Sequence, residues 1–298
     1  MPNARVIETH QLTKRFGKFA AVEALDLNVK ANQITGFLGR NGAGKSTTIK
    51  MLLGMTHPTS GTGMLLGRPI DDPRSNLEAR RHVAFVGEDK QLYGYLTVEE
   101  LIRFTQSFYT DWRADVAQRL LAGYDLPPKR KVRSLSKGMR TKLALLLALS
   151  RQPKLLILDE PSEGLDPVAI EELLQTLVGA ASEGTTIFFS SHQLAEVERI
   201  ADRVCIVDHG VLVEEFALDE LREDYRRITF GFANEPPRDD LRMPGIRHAR
   251  RVGRQLSLLV SGNAEAIAAR GSDMNAVSVD IALISLREVF LESVQSDA

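Results

Sequence analysis

The sequence predicts an α/β fold built on a parallel sheet, and three stretches carry that prediction. QITGFLGRNGAGKSTTIKMLLGM (33–55) places an apolar strand before a glycine-rich turn and a helix with Ile49, Leu52 and Leu53 on one face. KLLILDEP (154–161) is a continuous apolar run, expected of a strand covered on both faces, that ends in two carboxylates. TTIFFSSHQLAEVERIADRV (185–204) repeats the theme, with a strand ending at Ser190-Ser191-His192 and then an amphipathic helix. Parallel sheets place their chemistry at the carboxyl ends of such strands.

The chain has 298 residues, of which 43% are hydrophobic, enough for one full core and room for a second domain. A net charge of -1 speaks against a general nucleic-acid or membrane-surface role, because those partners select basic surfaces. The start, MPNARVIETHQLTKRF, has no apolar stretch long enough for a signal peptide, and no run approaches the roughly 20 apolar residues of a membrane span, so a cytoplasmic location is expected. The single cysteine, Cys205 in RVCIVD, reads as a buried structural thiol.

In chain order, LTKRFGKFAAVEALDLNV (12–29) reads as two strands joined by a turn. The turn that follows the next strand fits GxxxxGK[ST]. Gly39, Gly42 and Gly44 let backbone N–H groups point inward around phosphate, and the following helix aims its positive end at the same charge. Lys45 would reach the β and γ phosphates, Ser46 would offer its hydroxyl to Mg²⁺, and Thr47 would support the neighbouring phosphate. In RSLSKGMRTKL (133–143), Ser136 precedes an apolar helix containing Leu143, Leu145, Leu146 and Leu147, whose amino end makes a second anion site.

At the end of KLLILDEP, Asp159 suits Mg²⁺ coordination, and Glu160, on the opposite side of the strand, suits polarising an attacking water. SEGLDP (162–167) forces a turn, with Asp166 positioned to cap the helix beginning near Val168. His192 falls at the same sheet edge and reads as a γ-phosphate sensor or water-orienting group; His10, His57, His82, His209 and His248 read as ordinary histidines. Leu126-Pro127-Pro128 marks a turn between helices, and Lys129, Arg130, Lys131 and Arg133 form a solvated face. Beyond residue 220, ITFGF, the turn EPPRDD, RQLSLLVS, the helix AEAIAARG and helix-like SLREVFLESV form a small α+β extension.

GRNGAGKST, LSKGM, LLILDEP, SEGLDP and SSH occur in the order and spacing of the nucleotide-binding subunits of ABC transporters, and the chain resembles that family over residues 4–220. The resemblance implies a P-loop NTPase (ABC ATPase) domain over 1–220. Its core of 4–87 and 150–218 would combine a parallel sheet with an antiparallel β subdomain, interrupted by a helical subdomain at about 88–149. The accessory domain is expected at 221–298. ATP would be held by Gly39, Arg40, Asn41, Gly42, Ala43, Gly44, Lys45, Ser46 and Thr47, with catalysis by Glu160, His192 and Lys45 and Mg²⁺ at Ser46, Asp159 and Glu88. Phe16 fits the aromatic residue that stacks on adenine, with packing beneath the turn as its other reading and Phe19 as the alternative occupant.

By the same resemblance, Ser136 and Gly138 would cap ATP held by the other subunit, with Asp166 in the neighbouring turn, while Lys137 adds a positive charge near that phosphate or is a solvated lysine. Two chains, a homodimer or this chain with a related ATPase subunit, would then bury two nucleotides head to tail. The sequence departs from the family's LSGGQ at Lys137 and Met139. Glu88 stands where the Q-loop glutamine is usual, since LYGYLTVEE fixes the register against Gln91. The expected function is MgATP hydrolysis that drives a separate membrane permease, export being favoured because SLREVFLESV resembles the SLEDVFLE tail of exporter-type subunits. The protein would then sit on the cytoplasmic face of the inner membrane through its permease, for which Tyr93, Tyr95 and Leu96 offer a docking surface or else pack internally. The alternative is a soluble ABC ATPase acting on nucleic acid or translation, but such relatives carry tandem ATPase units or long coiled-coil insertions, and no nucleic-acid partner is expected. A P-loop kinase would leave the Ser136 loop, SEGLDP and His192 unexplained.

Overall fold

The computed structural model describes residues 4–237 and 243–295. It divides into two compact units, Met1–Leu212 and Val213–Ala298, each described by itself. The boundary expected after residue 220 thus falls eight residues earlier, because Glu214 already pairs with His248 of the second unit, Nε2 to Oε1 at 3.2 Å.

The chain opens with β1 (Arg5–Phe16) and β2 (Phe19–Leu25), an antiparallel pair closed by Phe16 opposite Phe19, then β3 (Asn28–Lys30). The central strand β4 (Ile34–Gly39) is buried at every position and feeds α1 (Lys45–Leu52). β5 (Ser60–Leu65) and β6 (Arg68–Pro69) return to the first sheet, an antiparallel layer ordered β2-β1-β5-β6 with β3 also on β1. α2 (Pro73–Arg80), capped by Asp72 accepting from the Ser75 N–H, leads to β7 (Val83–Val86).

A helical segment follows. α3 (Val98–Gln106) starts with a capping box in which Thr97 and Glu100 satisfy each other's backbone N–H groups. α4 (Ala114–Gly123) and α5 (Lys137–Leu149) complete it around Val98, Leu101, Leu126, Leu143 and Leu146. The 126–128 turn falls between α4 and α5, and the expected basic run there is exposed.

Alternating strands and helices then finish the first unit: β8 (Leu155–Asp159), α6 (Pro167–Ser182), β9 (Thr186–Ser191), α7 (Leu194–Ile200) and β10 (Arg203–Asp208). β10, β4, β9, β8 and β7 lie side by side, every pair parallel. Two-sided coverage explains why β4, β8 and β9 are buried at every position: Phe37 and Phe188 meet at 5.2 Å between ring centroids, and Cys205 is buried among them. The unit boundary falls inside β11 (Val211–Ala217).

The second unit continues with α8 (Leu218–Asp224), β12 (Tyr225–Gly231), β13 (Ile246–Val252), β14 (Gln255–Ser261), α9 (Ala264–Asp273), β15 (Ser278–Leu283) and α10 (Leu286–Gln295). Its antiparallel sheet runs β13-β14-β12-β15. Ile228, Phe230, Leu256, Leu258 and Ile267 form its core, and Arg227 binds Glu288 and Glu292 of α10 at 2.6 and 3.2 Å. α8, β13 and β15 are additions to the expected elements, whereas the last part of EPPRDD lies outside the described residues.

Candidate functional site

Strand order brings the motifs together. β9 lies between β4 and β8, with Leu38 opposite Ser191 and Asp159 opposite Ser190. The glycine-rich turn, His192 and the Asp159-Glu160 pair therefore leave the sheet side by side at its carboxyl edge.

Gly44 caps α1 at φ 98°, supplying no side-chain cap, so the first N–H groups of the helix remain available to an anion. Only glycine fits: a Cβ there would lie 2.4 Å from the Ala21 carbonyl oxygen. Lys45 is buried. Its ammonium donates to the carbonyl oxygens of Gly39 at 2.8 Å and Arg40 at 3.2 Å. It also meets Oε1 of Glu160 at 3.0 Å, as a charge contact rather than a directed hydrogen bond.

Below the turn, Ser46 and Ser190 both donate to Oδ1 of Asp159, at 3.1 and 2.7 Å. Ser190 Oγ also accepts the Glu160 N–H at 3.0 Å, which helps hold Glu160 at φ 45°, a conformation that costs a non-glycine residue about 1–3 kcal/mol. Oε2 of Glu160 lies 2.9 Å from Nδ1 of His192, and Nε2 of the same ring is 3.8 Å from Glu163. Glu160 is thus clamped between a lysine and a histidine at the mouth of a phosphate-sized cradle.

A cavity of about 490 Å³ opens over this cluster. It collects Phe16, Asn41, Gly42, Ala43, Gly44, Lys45, Ser46, Thr47, Glu88, Glu160 and His192 from among the expected residues. Both aromatics of the β1–β2 turn line it and are more than half exposed, so a flat ring has two faces to stack on. Gly39 and Arg40 do not line it but hold Lys45 through their carbonyls, and Asp159 is joined to it through Ser46.

Ser136, Lys137, Gly138 and Asp166 do not line this cavity. Ser136 caps α5 by accepting the Met139 N–H at 3.2 Å, and Asp166 caps α6 by accepting the Ala169 N–H at 2.9 Å. Lys137 lies across Gly164 of the SEGLDP turn and shares a separate depression of about 500 Å³ with Glu88, Asp89, Lys90, Gln91 and Arg140.

Four contributors escaped the sequence-based assignment of site residues. Glu163 lines the cavity. Ser190 orients both carboxylates. Lys90 donates to the Pro161 carbonyl at 3.2 Å, and burial, followed by the nearby Lys137 charge, pulls its ammonium below the usual lysine range. Glu196 is the fourth, buried on α7. Ser190 and Glu163 lie inside the SSH and SEGLDP stretches and Lys90 lies two residues from Glu88, so these three had a positional signal, whereas Glu196 had none.

Tyr93 and Tyr95 are exposed and join Phe104 and Phe108 in a chain of ring contacts with centroid distances of 5.9, 5.4 and 5.1 Å, while Leu96 packs inward. No described helix is long and apolar enough to cross a membrane.

The ABC transporter family matches residues 22–163. The bacitracin transport ATP-binding protein BcrA of Bacillus licheniformis is 38% identical over 225 residues, spanning 74% of this chain and 73% of that protein. The Nod factor export ATP-binding protein I of Cupriavidus metallidurans is 36% identical over 246 residues, spanning 79% and 80%. Among solved structures, an ATP-binding subunit of an ABC transporter superposes with a TM-score of 0.66 at 31% identity, covering 73% of this chain and 92% of that one. A dimeric ATP-binding cassette in a post-hydrolysis state with ADP and Pi shares the fold, with a TM-score of 0.64 at 22% identity over 71% and 98% of the two chains.

Proposed function

The chain belongs to the ABC transporter family as an ATP-binding subunit with the ATPase fold, and from that premise we propose that MgATP hydrolysis at the Lys45–Glu160–His192 cluster powers a separate exporter permease. The observation that carries the reading is Glu160, held 3.0 Å from Lys45 and 2.9 Å from His192 beside a helix start that only glycine can cap.

The cradle fits the triphosphate. A buried lysine, uncapped N–H groups at α1 and the positive-φ glycines Gly42 and Gly44 supply the donors and the space that phosphate oxygens require. The oxygen set of Ser46, Asp159 and Glu88 suits Mg²⁺, a hard cation that would neutralise charge on the phosphates. Lys45 would orient the γ-phosphate. The Glu160 carboxylate would take the proton of the water whose oxygen bonds to γ-phosphorus as the bond to the β-bridging oxygen breaks, and His192 would hold that carboxylate in place. Phe16, with Phe19 as the alternative, would stack on adenine.

Ser136, Lys137 and Gly138, which do not line the chain's own cavity, are assigned to the ATP of a second subunit, so that nucleotide joins two chains and hydrolysis lets them part. Relatives named for bacitracin transport and Nod factor export support an export role, and the exposed Tyr93 and Tyr95 suit a permease contact. Affinity purification of the tagged protein from gently solubilised membranes tests the assignment. A polytopic membrane protein in near-equal amount is expected; recovery of ribosomes or nucleic acid alone would overturn it.

A further inference from the structure

Glu196 is 5% exposed, and its carboxylate binds two turns at once. Ser162, two residues after Glu160, donates to Oε2 at 2.7 Å; Ser191, one residue before His192, donates to the same oxygen at 3.4 Å. Ser191 Oγ in turn accepts the Gln193 N–H at 2.9 Å, closing the turn that carries His192. Oε1 has no hydrogen-bond partner, and burial pushes the carboxyl above the usual carboxylate range. An apolar side chain would fill this place without the desolvation cost, so packing alone does not account for an acid here.

The platform under Glu196 is rigid. Its neighbour Val197 is fully buried against β4 at Gly36, where a Cβ would come 2.4 Å from the valine Cγ1. A carboxylate on so fixed a helix sets the distance between the turns it holds.

We propose that Glu196 is a positioning residue: by joining Ser162 to Ser191 it keeps the turn after Glu160 and the turn around His192 in register, so that the 2.9 Å contact between those two side chains forms. The proposal rests on the ATPase reading above, and it concerns turnover rather than nucleotide affinity, because Glu196 does not line the cavity.

The test compares Glu196→Leu, Glu196→Gln and Ser162→Ala with the parental full-length chain. ATPase kcat and KM, ATP Kd, Tm and the NMR signals of the His192 imidazole would be measured. Glu196→Leu is expected to lower kcat at least tenfold, leave ATP Kd within about twofold and shift the His192 signals. Glu196→Gln, whose amide oxygen still accepts both serine hydroxyls, should restore much of kcat and the parental signals, with Ser162→Ala between them. Parental kcat in Glu196→Leu, or equal losses of kcat and ATP affinity in both Glu196 variants, overturns the proposal. Should Glu196→Leu fail to fold, parental kcat in Ser162→Ala does the same. A parental chain that hydrolyses no ATP sinks the functional reading instead, while an unmoved His192 resonance in Glu196→Leu sinks the positioning role by itself.

Discussion

The Lys45 ammonium lies 3.0 Å from Oε1 of Glu160, with the two side chains 6% and 9% exposed. Opposite charges this deeply buried neutralise each other, and removal of either strands the other in a poorly solvating place. A phosphate at Lys45 would share its cation with Glu160, so the proposed phosphate-holding group and the proposed base would be electrostatically linked.

Glu160→Gln keeps the size of the side chain and an oxygen for His192 but cannot take a proton. Turnover should fall by about 10²–10⁴, the range for loss of a general base. ATP should still bind, since Lys45 loses a competing anion, and the closed dimer should accumulate. ATPase assay and size-exclusion chromatography with MgATP check this; hydrolysis at the parental rate would refute the base assignment.

Lys45→Ala removes the ammonium proposed to hold phosphate, leaving Glu160 without its lysine cation and the Gly39 and Arg40 carbonyls without their donor. Equilibrium binding should show ATP affinity about 10–100-fold weaker, from the roughly 1.5–3 kcal/mol of a charged hydrogen bond. Unchanged affinity would place the phosphate elsewhere.

Gly44→Ala forces φ 98° on a residue with a Cβ and drives that atom toward the Ala21 carbonyl. The turn must shift. A stability loss on the order of 1–3 kcal/mol by denaturant titration, together with impaired ATP binding, is expected.

Glu88 lines the same cavity as Ser46, where its carboxylate would add negative charge near the proposed Mg²⁺. Glu88→Gln should keep ATP binding and change the Mg²⁺ concentration required for half-maximal turnover. Superimposable Mg²⁺ titrations would remove Glu88 from the metal site.

Burial pushes the phenols of Tyr124 and Tyr225 up to about 12, against 10.0 in an unfolded chain, with Thr176 partly offsetting the effect at Tyr124. The folded pKa is raised, so the stabilisation is fully present below pH 10 and is lost as pH climbs toward 12, because the unfolded chain gives up its protons first. Each tyrosine should cost about 1 kcal/mol of stability by pH 11. Urea midpoints at pH 9 and 11 test this, and Tyr124→Phe should flatten the dependence in the first unit.

Much of what gathers at the candidate site was legible from local pattern. A glycine-rich turn between an apolar strand and a helix, and carboxylates after an all-apolar run, are consequences of neighbouring residues and of burial on both faces, and β4, β8 and β9 appear where those patterns lie. The second unit was only half legible. β13 reads IRHARRV and is largely exposed, so it lacks the apolar alternation by which a strand is recognised, whereas SVDIAL of β15 alternates Val279, Ile281 and Leu283 and was missed although the pattern was there.

The sequence by itself determined which residues are candidates for phosphate chemistry, because backbone reach, side-chain charge and strand-end position are local properties. Only the tertiary structure decided how they meet. The β4-β9-β8 order sets His192 against Glu160 across 32 residues of chain, and the buried Glu196 reaches Ser162 across 34. Such contacts depend on which strands become neighbours and on how closely α7 settles over Gly36, and these are outcomes of packing the whole sheet rather than of any one segment.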